Sequence, residues 1–300
     1  MGIEHLKCRE MEKGDAANFS RFDEGEGSTS RISRFDKGIS IMDQRRMIEE
    51  QEREKVKQEY AHPRWAEMWA VEYPPSFDKL CLVPILQQLI DDDKLLKEGR
   101  CLVPGCGRGY DVTAIASRNR FCLGVDIVPA AISSAQQRLE ELYDMAALLE
   151  VSPEPPLGQC EFKCLDFFEL DTFHPENKFD LVFDYMFLSS LDPRIHKDWA
   201  LKMADLVKVG GELMTVIYPI MIEKCGGPPF QLALNTVREL LMPAGFEAFE
   251  LYELLPEQCH LGRGGVDGGH NAPRTALGRW RRIVRDDDYD HDFDGPLSNK

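Results

Sequence analysis

The chain is predicted to be a doubly wound α/β protein, a Rossmann-like and mostly parallel sheet with helices on both faces. Three observations carry that prediction. Apolar runs at 100–104, 121–126, 160–165, 179–185 and 211–218 alternate with helical patterns at 109–118, 128–149 and 192–207, the rhythm of βαβ units. The first run opens into a turn with Gly105, Gly107 and Gly109, placed between a strand and a helix. The chain has 300 residues and is 43% hydrophobic, enough for one full core once its polar ends are set aside.

In chain order, residues 1–39 are rich in glycine, serine and charge without a hydrophobic period, so they read as a disordered leader. Residues 40–60 fit one charged helix with Ser40 as N-cap and Asp43 in the capping-box position. Trp65 and Trp69 follow, spaced so that they share one face of a short helix ahead of the first strand, where a helical lid would lie. A helix near 233–242 and strands near 246–253 and 278–285 are expected to complete the sheet with an antiparallel edge. A glycine-rich loop spans 256–276, and the acidic run after 285 reads as a solvated tail. The expected organisation is therefore a leader (1–39), one domain (40–285) and a tail (286–300).

In open sheets of this kind ligands sit beyond the carboxyl ends of the strands, so residues just after each run are the informative ones. Glycines at 105, 107 and 109 let the backbone turn sharply and approach a ligand that a side chain would strike. Asp126 closes the second run 21 residues after Gly105, the spacing at which a carboxylate accepts from both hydroxyls of an adenosine ribose. A dinucleotide fingerprint needs a third glycine where this chain has Tyr110, which disfavours NAD and favours S-adenosylmethionine. The plain alternative is an ordinary tight turn with no ligand. Asp166 and Phe167 follow the third run, suited to an adenine amino group and ring face, or else to a cap and a core position. Asp184 and Tyr185 end the fourth run and Tyr218 the fifth, with the turn-forming stretch Cys225–Phe230 beyond. The Trp65 and Trp69 indoles would stabilise a sulfonium cation by their faces, though paired indoles also serve as core anchors.

The formal net charge of −16 would repel phosphate backbones and anionic lipid, which argues against nucleic-acid and membrane partners. No apolar stretch approaches the ~18 residues of a spanning helix, and the first residues lack a signal-peptide core, so a cytoplasmic protein is expected. The nine cysteines are irregularly spaced, with Cys101, Cys122 and Cys164 inside predicted strands, and read as buried reduced thiols. With no C-x-x-C pair, no metal site is expected.

From His62 to about Arg285 the chain resembles the halide/thiol methyltransferases of plants, fungi and algae, a branch of the thiopurine S-methyltransferase-like superfamily. The matching stretches are W-x-x-x-W at 65–69, LVPGCGRGYDV at 102–112, LGVDI at 123–127, FDLVFDY at 179–185, GGELMTVIYPI at 210–220, GGPPF at 226–230 and LGRW at 277–280. The resemblance implies a class I methyltransferase sandwich with S-adenosylmethionine held at Trp65, Trp69, Gly105, Asp126, Asp166, Phe167 and Asp184, to which the turn reading adds Gly107. It also implies methyl transfer to iodide, bromide, chloride, thiocyanate or hydrosulfide. Plant members usually carry P-W-D-Q-G after the tryptophan pair, whereas this chain has Pro75-Ser76-Phe77-Asp78-Lys79. Phe77 would then stand in as the aromatic wall of the cofactor site.

The expected chemistry is direct SN2 transfer to a small anionic acceptor, which needs no general base. Tyr185 and Tyr218 are the candidates to orient the acceptor, and large, weakly hydrated anions are expected to outrank chloride. A monomer is expected. Two other readings stay open: a methyltransferase for a larger thiol or thiopurine, and a scaffold that binds the cofactor without turning it over.

Overall fold

The computed structural model describes residues 47–48, 50–56, 63–71, 74–75, 77–156, 158–221, 226–265 and 272–284. The leader, Ser40, Asp43, Ser76, Cys225 and the acidic tail lie outside the described residues; of the charged helix expected at 40–60, residues 47–48 and 50–56 are described and helical. Two short helices, α1 (Pro63–Val71) and α2 (Pro84–Asp91), precede the first strand. Alternating units follow: β1 (Gly99–Pro104), α3 (Tyr110–Ile115), β2 (Arg120–Asp126), α4 (Pro129–Leu148), β3 (Cys160–Cys164), β4 (Phe179–Tyr185) and α5 (Phe187–Ser190). The chain closes with α6 (His196–Leu206), β5 (Val207–Ile220), α7 (Leu234–Leu241), β6 (Phe246–Glu253) and β7 (Arg274–Arg282).

Seven strands form one sheet in the order β3-β2-β1-β4-β5-β7-β6. The five from β3 to β5 are parallel, and β7 runs antiparallel to both β5 and β6. Strand order reverses between β1 and β4, and such a switch point opens a crevice at the carboxyl ends. The sheet is covered on both faces, so its central strands are apolar at nearly every position. Their residues sort by parity: Leu102, Val182 and Leu213 join the core that holds Trp199 and Trp280, whereas Cys101, Val103, Leu181, Phe183 and Met214 join the other. α2 and α4 each start with proline at the first helical position, where the missing N–H costs nothing.

Three expectations are corrected. β7 and β6 form the expected antiparallel edge with β7 next to β5, but β7 spans Arg274–Arg282 instead of 278–285. Arg274 and Thr275 look like loop residues in sequence, yet Thr275 is buried and its Oγ1 donates to the Arg263 carbonyl at 2.7 Å. The inserted strand carries its polar groups inward with partners: Arg279 forms a fork on Glu212 at 2.6 and 3.1 Å, and Trp280 Nε1 donates to Thr215 Oγ1 at 2.9 Å. Cys164 is exposed because β3 is an edge strand that buries only Phe162 fully, while Cys101 and Cys122 are buried as expected. The helix expected at 192–207 is a 3₁₀ turn, Pro193–Ile195, capped by Asp192 and followed by α6. Among the described residues no helix is long and apolar enough to cross a membrane.

Candidate active site

A cavity of about 480 Å³ opens beyond the carboxyl ends of β1, β2, β4 and β5, at the switch point. Its floor is the turn after β1. Gly105, Gly107 and Gly109 all have φ in the left-handed region, at 58°, 52° and 73°, and neighbouring side chains leave no room for a Cβ at Gly105 and Gly109. A Cβ on Gly109 would lie 2.5 Å from the Phe162 ring, and one on Gly105 would lie 2.7 Å from Phe187. Trp69 lies over Gly107, 3.6 Å from where a Cβ would stand. The glycines therefore serve two purposes, the backbone path and close packing beneath the cavity.

Asp126 ends β2 on the cavity wall, with Oδ2 accepting from Gly107 N–H and Oδ1 from Val128 N–H, both at 3.0 Å. Burial raises its pKa, against the pull of those N–H donors. With the Ile127 N–H as a third donor, the carboxylate still keeps a lone pair for a further one. Asp166 and Phe167 also line the cavity, and the duller readings of both hold as well: Asp166 Oδ1 caps the turn Phe167–Glu169 through Phe168 N–H, and Phe167 is buried in the core against Phe187. Among the described residues Asp166 Oδ2 has no partner.

The opposite wall is aromatic. Trp65 and Trp69 on α1 meet the edge of Phe77 at ring distances of 5.6 and 6.0 Å, and all three line the cavity. Sequence reading missed what fixes this wall. Asp78 accepts from Arg108 Nε at 2.5 Å, tying the segment after α1 to the glycine turn, and the Arg108 guanidinium stacks on Trp69 at 5.2 Å. Arg64 on α1 donates to the Gly227 carbonyl at 2.9 Å, joining α1 to the loop whose Pro228 and Pro229 line the cavity.

At the far end lies a second group that sequence reading only half found. Tyr185 and Tyr218 line the cavity, and Arg263 bridges them. Its Nη1 donates to Tyr185 Oη, its Nη2 donates to the Phe77 carbonyl at 2.8 Å, and its guanidinium lies 4.9 Å from the Tyr218 ring. Arg263 is 5% exposed, yet among the described residues no carboxylate is within ion-pair distance of it. Burial holds the Tyr185 hydroxyl well above its ordinary range, so it stays protonated. His260 stacks on Tyr185 at 5.7 Å and 28°, and Cys81 approaches its Nδ1 at 3.7 Å.

Asp184 stands apart from the other candidates. Consecutive strand residues leave on opposite faces, so Tyr185 opens to the cavity while the Asp184 carboxylate turns into the core. It accepts from Leu188 N–H at 3.1 Å and Trp199 Nε1 at 2.9 Å, holding α5 and α6 against β4.

The donor set fits a nucleoside joined to a sulfonium amino acid. A carboxylate at the end of β2 suits ribose hydroxyls, an acceptor beside an aromatic ring suits adenine, and three aromatic rings suit a cation. Comparison with known proteins agrees. The family model "Thiopurine S-methyltransferase (TPMT)" matches residues 60–274. Thiocyanate methyltransferase 1 of Arabidopsis thaliana is 35% identical over 219 residues, which is 73% of this chain and 84% of that protein. Probable thiol methyltransferase 2 of the same plant is 34% identical over the same shares. Thiopurine S-methyltransferase of Photobacterium profundum is 26% identical over 61% of this chain and 81% of its own length.

Proposed function

The chain belongs to the thiopurine S-methyltransferase family and is an S-adenosylmethionine-dependent methyltransferase, and on that premise we propose that its acceptors are small, soft nucleophiles. Thiocyanate and hydrosulfide come first, then iodide, bromide and chloride. The relatives named for thiocyanate and thiol methylation support the class. One observation carries it: Arg263, a buried cation without a carboxylate partner among the described residues, set between two tyrosines at the end of the cavity away from Asp126 and Asp166. A buried charge is costly unless compensated, and an incoming anion compensates it.

We assign Trp65, Trp69, Phe77, Gly105, Gly107, Asp126, Asp166 and Phe167 to the cofactor, and Tyr185, Tyr218 and Arg263 to the acceptor. When bound, the cofactor supplies an electrophilic methyl group on a sulfonium sulfur. Asp126 would accept from the ribose hydroxyls, and Asp166 Oδ2 from the adenine amino group. Because Tyr185 Oη already accepts from Arg263, its own proton is left to donate to the acceptor anion. A cofactor of that size takes most of a cavity of about 480 Å³, leaving room for an acceptor of few atoms. The aromatic walls offer few donors to replace lost hydration, which favours large, weakly hydrated anions.

The test is Arg263→Met. The KM for thiocyanate should rise at least about tenfold, while the Kd for S-adenosylhomocysteine, measured by calorimetry, stays within about threefold. An unchanged KM would remove Arg263 from acceptor binding and the carrying observation with it.

A further inference from the structure

The acceptor end of the cavity holds a titratable ring that the transfer to an anion does not use. His260 is 7% exposed and lines the cavity. Its ring is held on two sides: it stacks on Tyr185 at 5.7 Å, and Nδ1 faces Cys81 Sγ at 3.7 Å. In the tautomer that carries its proton on Nδ1, facing the Cys81 sulfur, the basic nitrogen is Nε2, which has no hydrogen-bond partner among the described residues. A halide or thiocyanate carries no proton and has no need of such a nitrogen. A thiol does.

We propose that His260 is the general base for protonated thiols, so that one cavity methylates both anions and neutral thiols by different use of the same wall. This rests on the methyltransferase reading above. As the thiol sulfur forms its bond to the methyl carbon, the S–H bond breaks and its proton passes to Nε2. The departing sulfonium sulfur keeps the electron pair of the bond it loses, so no oxidant or further reactant is required. The resulting imidazolium sits beside Cys81, which is exposed at the cavity mouth and gives the proton a way out to water.

The charged and titratable groups around His260 fit this role. Arg263 on its own loop and Lys79 ahead of α2 oppose a positive ring, Asp78 favours one, and Tyr185 and Cys81 are neutral neighbours. Burial is the largest influence, and together they lower the pKa to about 4, so the ring is uncharged and able to accept at neutral pH. A base this weak is sufficient because a thiol sulfur becomes strongly acidic as it acquires the methyl group.

The experiment compares wild type with His260→Gln, using thiocyanate and an alkyl thiol that is mostly protonated at neutral pH (free-thiol pKa about 8.5). The thiol-to-thiocyanate ratio of kcat/KM should fall at least tenfold at pH 7, and the deficit should shrink as pH rises and thiolate forms without help. Imidazole added to His260→Ala should restore thiol turnover only. As a binding readout, adding the thiol to the S-adenosylhomocysteine complex should shift the ¹⁵N resonance of Nε2. An unchanged ratio, or a deficit independent of pH, overturns the proposal. Wild type that turns over neither substrate would instead overturn the function on which it rests.

Discussion

Asp126, Asp111 and Asp184 stand at one end of the sheet, and each carboxylate meets a different fate. Asp126 keeps a lone pair facing the cavity; Asp184 is bonded into the core, and burial pushes it up to about 6. Asp111, in the first turn of α3, is pushed up to about 7 by burial, against the pull of the Val83 N–H. In the unfolded chain it would titrate near ~3.9. Between those values the folded state binds more protons than the unfolded state, so this group costs stability as pH rises and the cost levels off above the folded value. Asp111→Asn should therefore gain stability over wild type as pH rises from about 4 to about 7, with a constant gap beyond. Urea denaturation at a series of pH values checks this, and a gap independent of pH would refute it. Asp126, Asp166 and Tyr185 were legible in sequence because each follows an apolar run. Arg263 and His260 were not, because their meaning depends on contacts with residues 78 and 179 positions away.

At the scale of elements, the turn between β1 and α3 carries the most information per residue. Its glycines were readable because no other residue suits three left-handed positions in five, though their packing partners were not. Gly109→Ala would force a methyl group to within 2.5 Å of the Phe162 ring at a φ of 73°. The expected cost is about 3 kcal/mol from overpacking and a left-handed alanine combined, measured by denaturant midpoint. A loss below about 0.5 kcal/mol would mean that the ring moves aside freely. Strand β7 shows the limit of reading by periodicity. The pattern identifies a strand, but its place between β5 and β6 is decided by side chains from distant segments, the Arg279–Glu212 and Trp280–Thr215 pairs. The lid was expected from two indoles, whereas the Asp78–Arg108 pair that anchors the lid-side segment joins residues 30 apart and left no local trace.

Over the whole molecule, a chain of net charge −16 presents a buried guanidinium inside an aromatic-walled cavity. Overall charge bears on long-range encounters with other charged molecules but says nothing of the local field, which the charged side chains lining the cavity set. Fold class followed from alternating apolar runs because a doubly wound sheet imposes that alternation on any sequence that forms it. The acceptor group proposed above was only half legible, because Tyr185 and Tyr218 end apolar runs whereas Arg263 and His260 lie in a glycine-rich loop. The central claim is methyl transfer to a small soft anion in this cavity. The most direct measurement is turnover by the purified protein of methyl-labelled S-adenosylmethionine with matched concentrations of thiocyanate, iodide, chloride or a thiopurine, with the labelled products identified by mass spectrometry. The account predicts labelled methyl thiocyanate and methyl iodide at rates at least about tenfold above methyl chloride, a gap of about 1.4 kcal/mol in transition-state energy. Equal rates for iodide and chloride, or product from the thiopurine alone, would contradict it.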